Sequence, residues 1–355
     1  MKFPTINSQR FDLHRRGTLS EQVQALNWSP DGQALAASSA AGEVMLWLFS
    51  GNTLTLQAGD GQSVDCLAFS KDGRFLAAGG QDGRVKIWLW RESELIATLE
   101  NAPAWIDKLA WSPITNHLAF SLGRHVQVWD ADAGKIAATL NFDTSSVLGL
   151  DWRFDGQYLA ICGYQGVKVW NCQDWNEDPS VLVVPSASVV TAWSPDGKYL
   201  ASGNMDRTIS VLEWNTPHPW VMSGFPGKVR QLAWSEAMTQ LGAPLLASSS
   251  VEGIVVWEKQ ADELLGWSGR VLSRHTGVVQ AIAFQPNSFL LASAADDSLV
   301  CLWHKAKRLS QILDSAPDSG FSCLAWHPQG QQLAGGGQNG RLLVWSKSMG
   351  GQGFG

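Results

Sequence analysis

The sequence predicts an all-β fold in which one four-stranded unit is written eight times, and three observations carry this expectation. VQALNWSPDGQALAASSAAGEVMLW at residues 23–47 returns as VDCLAFSKDGRFLAAGGQDGRVKIW at 64–88, with apolar runs and turn residues in the same order. Eight such segments close at Trp47, Trp88, Trp129, Trp170, Leu212, Trp257, Trp303 and Trp345, in steps of 41, 41, 41, 42, 45, 46 and 42 residues. Inside each segment the runs are short, apolar or β-branched, and parted by Ser-Pro or Asp-Gly text, which marks strands joined by tight turns.

Each unit opens with an inner strand that ends at an SPDG-like turn. A second strand of the LAAS or LASG type follows, then a turn such as Gln81-Asp82-Gly83, then a third strand ending on the closing aromatic. Segments between units supply a fourth strand: 54–57, 95–99, 136–140, 181–184 and 270–275. Four strands at a period of about 40 to 45 residues form the blade of a β-propeller. A lone blade cannot bury both faces, so copies must stack around an axis until the ring closes. The expectation is an eight-bladed β-propeller of four-stranded antiparallel blades, one domain over residues 1–345. The last unit has three strands of its own, and Gln9–Gly17 stands where a fourth should precede the first unit. This N-terminal strand is expected to close the ring and cover an edge that would otherwise invite aggregation. The glycine-rich 346–355 reads as a flexible tail.

Composition agrees with a heavily buried chain: 45% of residues are hydrophobic, 19 are tryptophan, and 16% are charged, against about 25% in ordinary domains. A net charge of −6 argues against a broad phosphate-binding surface, so no nucleic-acid partner is expected. The densest basic run, residues 304–308, reads as a solvated loop and strand edge. Five cysteines form no C-x-x-C pair, which fits a reducing, cytoplasmic compartment. The first 22 residues have no apolar core, and no run approaches about 18 apolar residues. Neither secretion nor membrane insertion is expected.

On these residues the chain resembles the WD-repeat β-propeller family over about residues 9–345. Trp129-Asp130 preserves the Trp-Asp pair, Arg274-His275 stands for the Gly-His pair, and Asp82, Asp206 and Asp297 lie six residues before a closing position, with Asn339 as a substitute in the last unit. The resemblance implies a hydrogen-bonded tetrad of histidine, serine or threonine, aspartate and tryptophan inside a blade. The seventh unit offers all four as His275, Ser293, Asp297 and Trp303, which the resemblance makes internal braces rather than a catalytic triad.

Other chemistry lacks its context. Gly335–Gly340 matches G-x-G-x-x-G but links two strands, whereas a dinucleotide site needs a helix after the glycines. No H-E-x-x-H, P-loop or G-x-S-x-G string occurs. His304 and His327 should share a rim, but without a third ligand they read as two surface histidines. No cofactor or metal is expected. Trp90, Trp105, Trp175, Trp214, Trp220 and Trp267 exceed what the repeat demands. Trp90, Trp220 and Trp267 flank fourth strands, and Trp105 sits in a loop before an inner strand.

The resemblance implies a non-enzymatic scaffold or assembly factor that holds one or more proteins on its rim, with contacts from residues flanking the valine-like position that opens each inner strand. Here these flanks include Asp65 in the second unit, Trp105 and Asp107 in the third, Leu148 in the fourth, and Lys228 and Arg230 in the sixth. A lower rim around Trp175 is the fallback. The rival reading is an enzyme or metal-handling protein that uses the central channel.

Overall fold

The computed structural model describes residues 9–143, 145–313 and 319–348, and every regular element among them is a strand. In the second unit the strands run Val64–Phe69, Phe75–Gly80, Arg84–Leu89 and Glu94–Glu100, each antiparallel to the one before. The first turn follows from its residue types. Asp72 Oδ1 accepts from Ser70 Oγ at 2.7 Å and from Arg74 N–H at 3.0 Å, and Ser70 Oγ accepts from Phe75 N–H at 2.9 Å. Short polar side chains bond their own backbone in this way and hold a turn. Gly73 has φ +72°, a left-handed conformation that favours glycine.

The expected eight four-stranded blades are corrected to seven. Hydrogen bonding joins the described strands into six four-stranded sheets and one six-stranded sheet. The fourth and fifth units share the wide sheet because only Pro185, Ser186 and Ala187 separate the outer strand of one from the inner strand of the next. This link is too short to leave the sheet, so it stays extended within one continuous strand, Ser180–Trp193, and Ala187 pairs with Tyr164. The preceding strand, Tyr158–Asn171, is as long and bends at Gln165 and Gly166, with φ 68° and 124°.

Outer strands in the fifth and seventh units, Trp220–Met222 and Arg308–Leu313, have no counterpart among the sequence assignments. In the sixth unit the outer strand is Trp267–Leu272 rather than 270–275. Trp220 and Trp267 therefore lie within outer strands instead of flanking them.

Closure comes from the chain start. Phe11–Thr18 pairs antiparallel with Arg341–Lys347, from Phe11 opposite Lys347 to Thr18 opposite Arg341. Phe11 is buried and meets Trp326 edge-on at 5.4 Å, while Gln311 bonds its main-chain N–H and C=O at 3.0 and 2.6 Å. Ser346 and Lys347 extend the last strand instead of beginning a tail. The remaining tail, 349–355, lies outside the described residues.

The core sits between blades. One cluster joins Ala34, Ala36, Val44 and Leu46 of the first unit to Leu67, Leu76 and Trp88 of the second. Inner-strand tryptophans link neighbours directly, each Nε1–H donating to a main-chain oxygen of the preceding unit: Trp28 to Ala325 at 3.1 Å, Trp111 to Ala68 at 2.9 Å, Trp152 to Ala110 at 3.1 Å, Trp234 to Ala192 at 3.1 Å and Trp326 to Ala283 at 3.0 Å. Trp193 differs. Its main-chain N–H donates to Asp151 Oδ2 at 2.7 Å, and its indole N–H is buried without a partner among the described residues. Asn27 does the same work in the first unit, accepting from Phe69 N–H at 3.0 Å.

Two predictions follow from closure and from this junction. Deleting residues 1–17 removes most of the closing strand and should lower the melting temperature markedly, as read by calorimetry. Asp151 concerns pH: burial pushes its carboxyl up to about 7 against main-chain donors from Trp193 and Trp152. The folded value lies above the unfolded value of about 3.9, so ionisation opposes folding. The contribution of Asp151 to stability should therefore fall as pH rises from about 4 to about 7 and then level off. Asp151→Asn keeps the acceptor without the charge. In urea titrations it should flatten that slope and exceed the wild type in stability at about pH 8.

Candidate functional site

The ring presents the starts of its inner strands at one end. In unit after unit, the residue that opens this segment bonds the turn leaving the second strand: Ala40 N–H to Gln22 O at 2.9 Å, Gln81 N–H to Ser63 O at 2.9 Å, Met205 N–H to Ala187 O at 2.9 Å and Asp296 N–H to Val278 O at 3.0 Å. The flanking residues singled out from sequence thus sit where the inner strands of their own units begin.

Trp105 is 57% exposed, because its loop is held by Ala104 N–H to Asn101 O and Ile106 N–H to Gly80 O, both 3.0 Å, with Ile106 taking the buried position beside it. Asp107 is exposed and Asp65 half-buried, and Asp65 Oδ1 accepts from Ser63 Oγ at 2.5 Å. Leu148 is half-buried, its N–H donating to Cys162 O at 2.9 Å. Lys228 and Arg230 are exposed on either side of buried Val229, whose N–H donates to Asn204 O at 3.2 Å. That bond sets them beside the turn holding exposed Arg207. Among the described residues no carboxylate pairs with Lys228, Arg230 or Arg207.

Sequence reasoning missed two residues at this end, Tyr164 and Met205, which are 51% and 47% exposed. Both lie where the second strand passes to the third. Signal for them was weak, since that turn varies in length and composition from unit to unit.

The tetrad residues are brought together inside the seventh unit. Trp303 Nε1–H donates to Ser293 Oγ at 2.8 Å, and Ser293 Oγ lies 2.8 Å from His275 Nε2. His275 Nδ1 lies 3.1 Å from both Asp297 oxygens, which also accept from Thr276 and Leu299 N–H at 2.9 and 3.1 Å. One proton arrangement satisfies the chain: Trp303 donates to Ser293, Ser293 to Nε2, and Nδ1–H to Asp297. Burial lowers the His275 pKa below its ordinary value, opposed by Asp297, and so favours this neutral ring. All four side chains are buried or nearly so, with no space for a substrate at Ser293.

The fifth unit, which closes on Leu212, holds a different polar brace that sequence reasoning overlooked. Ser188 and Ser202 hydroxyls meet at 2.7 Å, Ser202 Oγ donates to Asn204 Oδ1 at 2.7 Å, and Asn204 Nδ2 donates to Thr208 Oγ1 at 3.0 Å.

The two isolated histidines are not brought together as a site. His327 is buried, contrary to the surface reading, with Nε2 3.3 Å from Gly32 O and its ring 4.9 Å from Trp28. His304 lines a separate cavity of about 240 Å³ with Gln9 and Phe289. Among the described residues no group of three or more His, Cys, Asp or Glu is placed to hold a metal ion. Gly335–Gly337 end one strand and Arg341 begins the next, so no helix follows this glycine run. At the opposite end, Trp175 is half-buried, edge-on to Trp152 at 6.1 Å.

Removing the shared hydroxyl should expose the tetrad's structural weight. Ser293→Ala leaves the Trp303 and His275 ring nitrogens without their partner and should cost about 1–3 kcal/mol in urea unfolding.

A family model described as "WD domain, G-beta repeat" matches residues 10–47, 51–88, 134–171, 180–215, 266–304 and 308–346. The chain is 25% identical to "B-type cell cycle switch protein ccs52B" of Medicago truncatula over 68% of its own length and 49% of that protein. It is 30% identical to "Pre-mRNA-splicing factor cwf17" of Schizosaccharomyces pombe over 44% of each. It is 26% identical to "Anaphase-promoting complex subunit cdc20" of Dictyostelium discoideum over 56% of this chain and 40% of that protein. The chain thus spans about half or less of these curated relatives.

Proposed function

Because the chain belongs to the WD-repeat family, we propose that it acts as a non-enzymatic scaffold or assembly factor whose inner-strand mouth holds a segment of a partner protein. The observation that carries this reading is the uneven mouth. Asp65 and Asp107 lie in the second and third units, exposed Trp105 next to Asp107, and in the sixth exposed Lys228 and Arg230, which have no carboxylate partner among the described residues. A segment crossing the mouth would set basic groups toward the aspartates, an apolar anchor against Trp105 and Leu148, and acidic groups toward Lys228 and Arg230. Such charge matching governs orientation and encounter rate more than affinity.

Relatives named for a cell-cycle switch, a splicing factor and a subunit of a complex support a role among protein partners. The net charge of −6 supports a protein rather than a nucleic-acid partner. Five free cysteines, two of them fully enclosed, support a reducing compartment and a cytoplasmic site of action. No helix among the described residues is long and apolar enough to cross a membrane.

An affinity pull-down at native expression level, followed by titration of the recovered partner, tests the reading. Trp105→Ala should lose about 2 kcal/mol or more of binding as a buried anchor, and Arg230→Glu should weaken binding most at low salt. A folded Trp105→Ala/Arg230→Glu double variant that recovers the same partners would exclude this mouth. Metal retained stoichiometrically by purified protein would favour the channel-enzyme alternative.

A further inference from the structure

Each of the seven blades has an outer strand on the circumference, uncharged at Thr53–Gln57 and Trp220–Met222 and charged in the other five, and the wide sheet adds a further free edge where the first half of Ser180–Trp193 has a neighbour on one side only. Glu94 and Glu100 stand on the outer strand of the second unit, Lys135 on the third, Arg270 on the sixth, Arg308 on the seventh, and Asp12 with Arg16 on the closing strand. Charges on an edge strand keep it from pairing with another chain. The outer segment of the fourth unit, Ser180-Val181-Leu182-Val183-Val184, has none. Val181 and Val183 are 55% and 72% exposed, and cavities of about 380 and 390 Å³ adjoin both valines.

The main chain there has a free side. Leu182 C=O and Val184 N–H turn inward over Gly166 of the neighbouring strand. In an alternating antiparallel ladder, the N–H and C=O groups of Val181 and Val183 therefore point outward. This part of the strand pairs only with residues 166–169 on its inner side.

We propose that two copies of this protein pair along this edge, strand 180–184 antiparallel to itself about a two-fold axis at Leu182. Such a pair sets Val181 opposite Val183 of the second copy and the reverse, and each opposed pair exchanges both of its outward hydrogen bonds. A two-fold axis brings identical surfaces together, so an edge carrying one charge sign meets the same sign. This uncharged edge avoids that repulsion. Pro179 and Pro185 bracket the strand and would lie opposite one another, where missing N–H groups stop the ladder after five residues and favour one register. Glu177 and Asp178 lie beyond Pro179, outside the five-residue ladder, and Met205 already bonds Ala187 O beyond Pro185, so the pairing cannot extend past the prolines. The rings meet circumference to circumference, leaving the mouth free. An interface five residues long gives a reversible dimer rather than an obligate one.

Sedimentation equilibrium of the purified chain tests this. The wild type should shift with concentration from 38.6 kDa toward twice that mass. Val183→Lys should weaken dimerisation about tenfold or more by placing charge on the edge. Val183→Pro, which removes an outward N–H that the blade does not use, should do likewise. Leu54→Lys, on the uncharged outer strand of the first unit, should leave the dimer unchanged, with melting curves confirming that each variant is folded. In the wild type, amide exchange at Val181 and Val183 should slow as concentration rises. A wild type that stays monomeric, Val183 variants that dimerise like wild type, a loss caused by Leu54→Lys, or exchange independent of concentration would each overturn the proposal.

Discussion

An indole N–H reaching a main-chain carbonyl of the preceding unit is the contact on which the ring depends. A four-stranded sheet of this size cannot bury both faces alone, so its stability is shared with its neighbours. The bond from Trp28 to Ala325 joins chain regions almost 300 residues apart, and it forms only when the first and last units meet. The strand Phe11–Thr18 makes that meeting permanent by adding a full antiparallel ladder to the last blade. Closure hides the edge that the last unit would otherwise expose, which matters for a chain with 45% hydrophobic residues.

Given those inter-blade bonds, the units tolerate different internal braces. Trp303 and Trp257 donate to Ser293 and Ser248 at 2.8 and 3.1 Å. In the last unit the register that places Leu291 opposite Trp303 places Leu333 opposite Trp345, so Gly335 occupies the serine position. The Trp345 indole N–H is left buried and unpartnered among the described residues. The fifth unit discards the tryptophan and uses Ser188, Ser202 and Asn204 instead. Polar completion inside a unit is therefore variable, whereas apolar packing between units recurs around the ring.

This division leaves the surface free to carry function. Closing tryptophans such as Trp88 and Trp170 are buried, whereas exposed Trp105, Lys228 and Arg230 flank the starts of inner strands and exposed Val181 and Val183 lie on an outer one. Trp105 reaches solvent because Ile106 takes the buried position next to it.

The repeat and the strand order within a unit were legible in the sequence because they depend on local spacing, turn residues at fixed offsets and aromatics at a constant period; the closing strand was legible because the last unit has only three strands of its own, and the tetrad because the resemblance implied it. The blade number was not. Whether the fourth and fifth units separate or merge depends on how far Pro185–Ala187 can travel, and the three-residue link stays in the sheet. The buried position of His327 also escaped, since it depends on the first unit's Gly32 turn, which approaches it only after closure. So did the raised pKa of the Asp151 carboxyl, whose environment is made by Trp193 of the next unit. Sequence by itself determined the unit and its recurrence, because those are properties of short-range geometry. Only the tertiary structure decided what happens where units touch, because contacts across a closed ring join residues whose spacing along the chain carries no local signal.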